Sequence, residues 1–63
     1  MCLSDVYAVR DGEKKLLFKN VATLSQKGDT LVFSDILGIP NEVKGTITKV
    51  DLLENVILID EKE

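Results

Sequence analysis

Turn-forming residues recur along this chain at short, fairly even intervals, and short apolar runs rich in β-branched residues lie between them. The strongest local signal is Asp11-Gly12, because this pair favours the tight turn of a β-hairpin. Closely spaced strands of this kind are typical of all-β proteins. The pattern therefore predicts a single all-β domain, residues 1–63, in which five or six short strands form a small curled sheet or barrel.

The predicted strands follow the apolar runs at residues 2–9, 14–20, 21–25, 30–34, 43–50 and 56–59. Where the second and third runs meet at Val21, we expect a bend or bulge rather than a loop. Pro40 has no N–H group to donate, so we expect no central strand to pass through it. The last run is apolar on both faces, and a second subunit could cover one of them.

The small size of the chain makes its stability a constraint. A 63-residue domain buries only about 60% of the surface that its unfolded chain exposes. Domains of this size usually add disulfides, a metal or a partner subunit to their core. The only cysteine, Cys2, cannot close a disulfide within one chain. A metal, dimerisation or an unusually well-packed core is therefore expected.

The charge and hydropathy patterns exclude several classes of protein. The net charge is −3, and the charged side chains are spread along the sequence rather than clustered. Nucleic-acid-binding proteins usually carry a basic face, so this balance argues against a nucleic-acid partner. No apolar run approaches the roughly 20 residues of a membrane span, and no targeting segment is recognisable. We therefore expect a soluble cytoplasmic protein, in which a free thiol stays reduced.

Side chains suited to catalysis are scarce. The chain has no histidine, no pair of cysteines and no glycine-rich phosphate loop. Carboxylates are frequent, but Asp5, Asp35 and Asp51 are each expected to lie in turns or at the surface. The sequence therefore predicts that this protein is not an enzyme.

The N-terminus offers a different kind of chemistry. With Met1 retained, its amine, the amide nitrogen of Cys2 and the Cys2 thiolate can close two five-membered chelate rings in one plane. A planar set of nitrogen and sulfur ligands suits Ni(II), and also Cu(II) in vitro, whereas Zn(II) prefers a tetrahedron. One chain supplies two or three of the four ligands of a square-planar ion. A homodimer that brings two Cys2 residues to one metal would supply the rest.

Two other interpretations of the sequence stand beside the metal site. A lone cysteine often packs as a small hydrophobe, and Cys2 alternates with Val6 and Ala8 on one face of the first run. The protein would then be an interaction module with a structural Cys2. A small barrel could also bind RNA, although few aromatic side chains are available for stacking on bases.

The sequence resembles the CooT family of small nickel-binding accessory proteins, which are linked to carbon monoxide dehydrogenase maturation. The likeness covers residues 1–7, the turns at 12 and 28–29, and residues 34–38, 43–47 and 51–53. It implies an SH3-like barrel of five to seven strands that forms homodimers, with Ni(II) bound at Cys2 and a nickel-enzyme maturation factor as a partner. Members often carry a histidine near the final hairpin, where this chain has Asn55. The resulting hypothesis is a nickel carrier or chaperone whose ligands are Cys2 and Met1.

Overall fold

The computed structural model describes residues 3–62 and consists of strands and turns. Its strands are β1 (Ser4–Arg10), β2 (Glu13–Val21), β3 (Thr23–Lys27), β4 (Thr30–Ser34), β5 (Pro40–Asp51) and β6 (Val56–Glu61). They form one sheet in the order β2-β1-β6-β5-β4-β3. β1 and β6 are parallel neighbours, and the other pairs are antiparallel. The predicted all-β domain and its number of strands are confirmed.

The sheet curls but does not close. Its edge strands, β2 and β3, are consecutive in the chain and are separated by Ala22 alone. The backbone N–H of Ala22 donates to the carbonyl oxygen of Ser34 at 2.7 Å, which ties this corner to β4. No ladder joins β2 to β3 within residues 3–62. The predicted bend is therefore confirmed, whereas closure into a barrel is not.

A second bend lies in the middle of β5. Residues 40–44 of β5 pair with β4, and residues 45–51 pair with β6. At the junction, a Cβ atom on Gly45 would overlap the backbone carbonyl oxygen of Asp60. Only glycine therefore allows β5 to approach β6 this closely while it passes from one half of the sheet to the other.

The core lies between the two halves of the curled sheet. Phe18 and Phe33 are in ring contact across it, with centroids 5.4 Å apart. Val6 and Ala8 of β1 both face inward, as their alternation indicated. Within residues 3–62, seven apolar side chains are buried: Val6, Ala8, Val21, Leu31, Phe33, Ile57 and Ile59. Among the described residues no charged or polar side chain is buried, so the core is held by apolar packing.

The fifth strand begins earlier than predicted, at Pro40 rather than at residue 43, and does not pass through the proline. β5 is a central strand and begins at Pro40, which lies opposite Ser34 of β4. The carbonyl of Ser34 accepts from Ala22, on the side of β3. The N–H and C=O groups of a strand residue point to the same side, so both groups of Ser34 point towards β3. Ser34 therefore needs no hydrogen-bond donor from Pro40 on the other side. The missing N–H group therefore costs no ladder hydrogen bond at the first residue of the strand.

The last strand has the two apolar faces that the sequence indicated. Ile57 and Ile59 are buried in the core, while Val56 and Leu58 on the opposite face are half-buried. Leu58 lies beside Tyr7 of β1 in the parallel ladder. Cover for this outer face by a second subunit stays a prediction. Residues 3–62 contain no helix that is long and apolar enough to cross a bilayer.

Candidate metal site

The predicted ligands, Met1 and Cys2, lie outside the described residues. The structure describes the framework that follows them in the chain. Leu3 is half-buried, and β1 begins at Ser4, which lies opposite Val21 of β2. The candidate site therefore adjoins a strand in the middle of the sheet, with β2 on one side and β6 on the other.

Asp5 fixes the start of β1 through two hydrogen bonds. Its backbone N–H donates to the carbonyl oxygen of Asn55 at 3.0 Å. Its Oδ1 atom accepts from the backbone N–H of Asn20 at 3.1 Å. Asp5 thus lies in a strand and is half-buried, rather than in a turn or fully at the surface as expected. β1, the strand that follows Cys2, is therefore hydrogen-bonded on both sides at Asp5, three residues after the candidate ligand.

Both residues that bond to Asp5 have left-handed backbones. Asn20 has a φ of 57° and Asn55 has a φ of 58°. Asparagine adopts this region more readily than most residues, which explains its presence at both positions. Sequence reasoning missed the role of Asn20. A signal was present, because each asparagine precedes a valine in an apolar run and marks a local break in the extended chain.

The turn between β5 and β6 lies beside the start of β1. Asp51 pairs with Val56 of β6, and Val56 pairs with Asp5 of β1. Neighbouring strands are about 4.8 Å apart, so Asp51 lies about 10 Å from Asp5. Asn55 closes the turn and accepts the hydrogen bond from Asp5. The position at which the resemblance implies a histidine in many CooT proteins is therefore next to the strand that follows Cys2.

Asp51 holds the turn in shape. Its Oδ1 atom accepts from the backbone N–H groups of Leu53 at 3.1 Å and Glu54 at 2.9 Å. Its Oδ2 atom lies 3.9 Å from the Nζ of Lys49, an exposed ion pair that contributes little energy. Leu52 and Leu53 are 82% and 89% exposed. The turn thus presents two apolar side chains to solvent from a hydrogen-bonded backbone.

The described part of the chain offers no alternative metal centre. Residues 3–62 contain no group of three or more Asp, Glu, Cys or His side chains close enough to hold an ion. A cleft of about 400 Å³ lies at the far end of β1. Arg10, Lys14, Glu13 and Glu61 line it, and their mixed charges favour neither an anion nor a cation. The metal site predicted at Met1 and Cys2 lies outside these residues and stays a prediction.

Comparisons with known proteins agree with the fold. The family model described as CO dehydrogenase accessory protein CooT matches residues 1–60. The chain therefore belongs to the CooT family. A crystal structure described as "putative CooT from Carboxydothermus hydrogenoformans" superposes with a TM-score of 0.87 at 21% sequence identity. The match covers 98% of this chain and 100% of that one. No curated protein matches the sequence.

Proposed function

We propose that this chain is a nickel-binding accessory protein, a carrier or chaperone rather than an enzyme, that acts in the cytoplasm. The observation that carries the proposal is the CooT family match, which includes Met1 and Cys2. An accessory role in carbon monoxide dehydrogenase maturation implies handling of the metal that the enzyme needs, and the N-terminal ligand set suits Ni(II). A nickel-enzyme maturation factor would be the protein that receives the ion.

We infer further that the ion is shared by a homodimer. Two or three ligands from one chain leave a square-planar ion incomplete, and a two-fold axis near Cys2 supplies the same ligands again. A dimer also covers apolar surface that a monomer of this size leaves in water. The curled sheet, open between β2 and β3, would then be an SH3-like barrel stabilised by its partner rather than by full closure.

The rigid start of β1 supports the same proposal. A carrier must release its ion to a recipient, so the ligands need to be accessible while the protein beneath them keeps its shape. The two hydrogen bonds of Asp5 hold the strand directly after the ligands.

Replacing the thiol tests the proposal directly. We expect Cys2→Ser to abolish the thiolate-to-nickel charge-transfer absorption that Ni(II) titration produces in the unaltered protein. Nickel affinity should rise with pH, because the thiol, the amine and the amide must lose protons to bind. Equal nickel binding by both proteins, measured by calorimetry, would disprove the role of Cys2.

Two control proteins test whether nickel binding requires a thiol at position 2 and a free amine at Met1. The double variant Cys2→Ser with Ser25→Cys keeps one thiol but moves it to the exposed strand β3. We expect it to bind Ni(II) no better than Cys2→Ser alone. An extension of two residues before Met1 removes the amine from the chelate and should weaken binding while Cys2 remains. Unchanged affinity in the extended protein would exclude Met1 as a ligand.

A further inference from the structure

We propose that the open edge of β2 binds an extended acidic segment of another protein, which adds to the sheet as a further strand beside residues 14–19. This interaction goes beyond the proposed function, because it involves neither the metal nor its ligands. It rests on the unpaired edge of the sheet and on the charge that this edge carries.

The curled sheet ends in two edge strands. Within residues 3–62, β2 and β3 each pair with one neighbour, and no ladder joins them. β2 is nine residues long, and in its middle Leu16 is exposed while Leu17 and Phe18 are half-buried. Proteins usually keep edge strands short or covered, because an exposed edge is a template for another strand. β2 is therefore a site at which an extended segment can pair.

The turn before β2 determines which of its backbone groups face outward. The residues of the Asp11-Gly12 turn have φ values of 52° and 78°, which match a type I′ turn. In such a hairpin the flanking residues, Arg10 and Glu13, form a hydrogen-bonded pair, and bonded and non-bonded pairs alternate from there. β1 and β2 stay in register as far as Leu16. The N–H and C=O groups of Lys14 and Leu16 therefore point away from β1, where a further strand would bind them.

Charge is distributed unevenly between the two edge strands and the rest of the molecule. β2 and β3 together carry four lysines and one glutamate, a net charge of +3. The other residues carry four basic and ten acidic side chains, a net charge of −6. Lys14, Lys15 and Lys19 lie on β2, and all three are exposed. Such an edge repels the same edge of a second copy and attracts an acidic strand.

A cleft beside this edge suits an apolar side chain of the added strand. It has a volume of about 250 Å³ and lies between β2 and the residues where β4 ends and β5 begins. Leu17, Phe18 and Phe33 form its apolar walls, and Lys19 and Asp35 also line it. The Oδ1 atom of Asp35 already accepts hydrogen bonds from two backbone N–H groups of its own turn. Because side chains alternate along a strand, a segment of alternating acidic and apolar residues matches both the lysines and the cleft.

A nucleic acid is the other polyanion that these lysines could attract. Single strands are held largely by stacking of their bases on aromatic side chains. The three aromatic side chains of the chain are not free for this purpose, because Phe33 is buried and Tyr7 and Phe18 are half-buried. The edge of β2 offers backbone groups at the spacing of a strand, which favours a polypeptide.

The first experiment measures binding of a short fluorescein-labelled peptide of alternating glutamate and valine to the metal-free full chain by fluorescence anisotropy. We expect the triple variant Lys14→Gln, Lys15→Gln and Lys19→Gln to weaken binding about tenfold, because three exposed charge pairs are lost. A peptide in which lysine replaces glutamate should not bind. Absence of binding by the glutamate peptide, or equal binding of both peptides, would overturn the inference.

The matched control changes the net charge by the same amount away from the edge. It is the triple variant Lys44→Gln, Lys49→Gln and Lys62→Gln, and its affinity for the peptide should differ by less than about threefold. Circular dichroism melting shows whether each variant is folded. Equal weakening by the two triple variants would mean that the peptide responds to overall charge rather than to β2.

The second experiment tests strand addition itself by NMR-detected amide hydrogen exchange. Bound peptide should slow exchange at Lys14 and Leu16, and should leave Lys15 unchanged because its N–H group already faces β1. Leu16→Pro removes an outward donor from the edge and should abolish binding, whereas Leu16→Ala keeps the donor and should retain it. Peptide binding without protection at Lys14 and Leu16 would overturn the inference. Tighter binding of oligothymidylate than of the peptide would overturn it in favour of a nucleic acid.

Discussion

Gly45 shows how one residue determines the path of a strand. Its backbone N–H donates to the carbonyl oxygen of Asp29 at 2.9 Å, while the space where a Cβ atom would lie is taken by the carbonyl of Asp60. The collision is with backbone rather than with a flexible side chain. Relief would require β5 and β6 to separate at the point where β5 bends. The sequence shows Gly45 only as an isolated glycine in a strand.

We therefore expect Gly45→Ala to destabilise the protein by about 2–3 kcal/mol, as overpacking of a closed interior does. Urea denaturation followed by circular dichroism measures the change. Gly28→Ala is the control, because Gly28 has open space around it and only its φ of 58° is unfavourable for alanine. Its cost should be about 1 kcal/mol. Equal costs for the two variants would show that the contact with Asp60 is not the cause.

At the scale of elements, the turns on either side of β5 depend on single carboxylates. Asp51 accepts from two backbone N–H groups and is the only charged residue that holds its turn within the described hydrogen bonds. Asparagine keeps a side-chain carbonyl oxygen in the same place, whereas alanine removes the acceptor. The shape of the turn, and with it the placement of Leu52 and Leu53, should respond differently to these two substitutions.

We expect Asp51→Ala to lower the free energy of unfolding by about 1 kcal/mol and to speed amide hydrogen exchange at Leu53 and Glu54. Asp51→Asn should retain most of the stability and of the protection at these two amides. NMR-detected exchange distinguishes the cases. Slow exchange at both amides in Asp51→Ala would mean that the turn is maintained by other contacts.

Local features of the fold were predictable from the sequence, and non-local ones were not. The turn at Asp11-Gly12, the bend at Val21 and the alternation of β4 depend on neighbouring residues, and all three are confirmed. The parallel pairing of β1 with β6 joins segments about fifty residues apart and leaves no local pattern. The side of β2 that faces the core also depends on a register shift, which places Phe18 beside Val6 and Leu16 beside Tyr7. Leu16 and Phe18, which regular alternation would place on one side of β2, are therefore separated.

The same distinction between local and non-local features applies to the candidate site. The chemistry of Met1 and Cys2 follows from their adjacency in the chain, so the sequence alone was sufficient to propose it. The surroundings of the site do not follow from adjacency. Asn20 and Asn55 reach Asp5 from residues 15 and 50 positions away, through hydrogen bonds that exist only in the folded sheet. Nickel binding stays a prediction until the ligands themselves are tested.

For the whole molecule, the charge of the chain sets the conditions for association. Each copy carries a net charge of −3, so two copies repel one another at low ionic strength. Salt screens this repulsion over about 10 Å at 0.1 M. Apolar contacts in the proposed dimer carry no charge, so the same screening does not weaken them.

We therefore expect the dimer dissociation constant to fall about threefold to tenfold between 20 mM and 300 mM sodium chloride. The melting temperature should rise with protein concentration, because association stabilises only the folded chain. Sedimentation equilibrium and differential scanning calorimetry measure the two effects. A melting temperature independent of concentration over a hundredfold range would be inconsistent with a dimer that unfolds to monomers.

The parallel pairing of β1 with β6 also determines the order in which the sheet can form during translation. β1 is synthesised about fifty residues before β6, its neighbour on one side. A nascent chain can form the β1–β2 hairpin early, yet a hairpin alone is at best marginally stable in water. Ile57 and Ile59 are the last of the buried core residues to be synthesised. The core therefore cannot be completed before β6 has been made, and β1 emerges well before the strand that pairs with it in parallel.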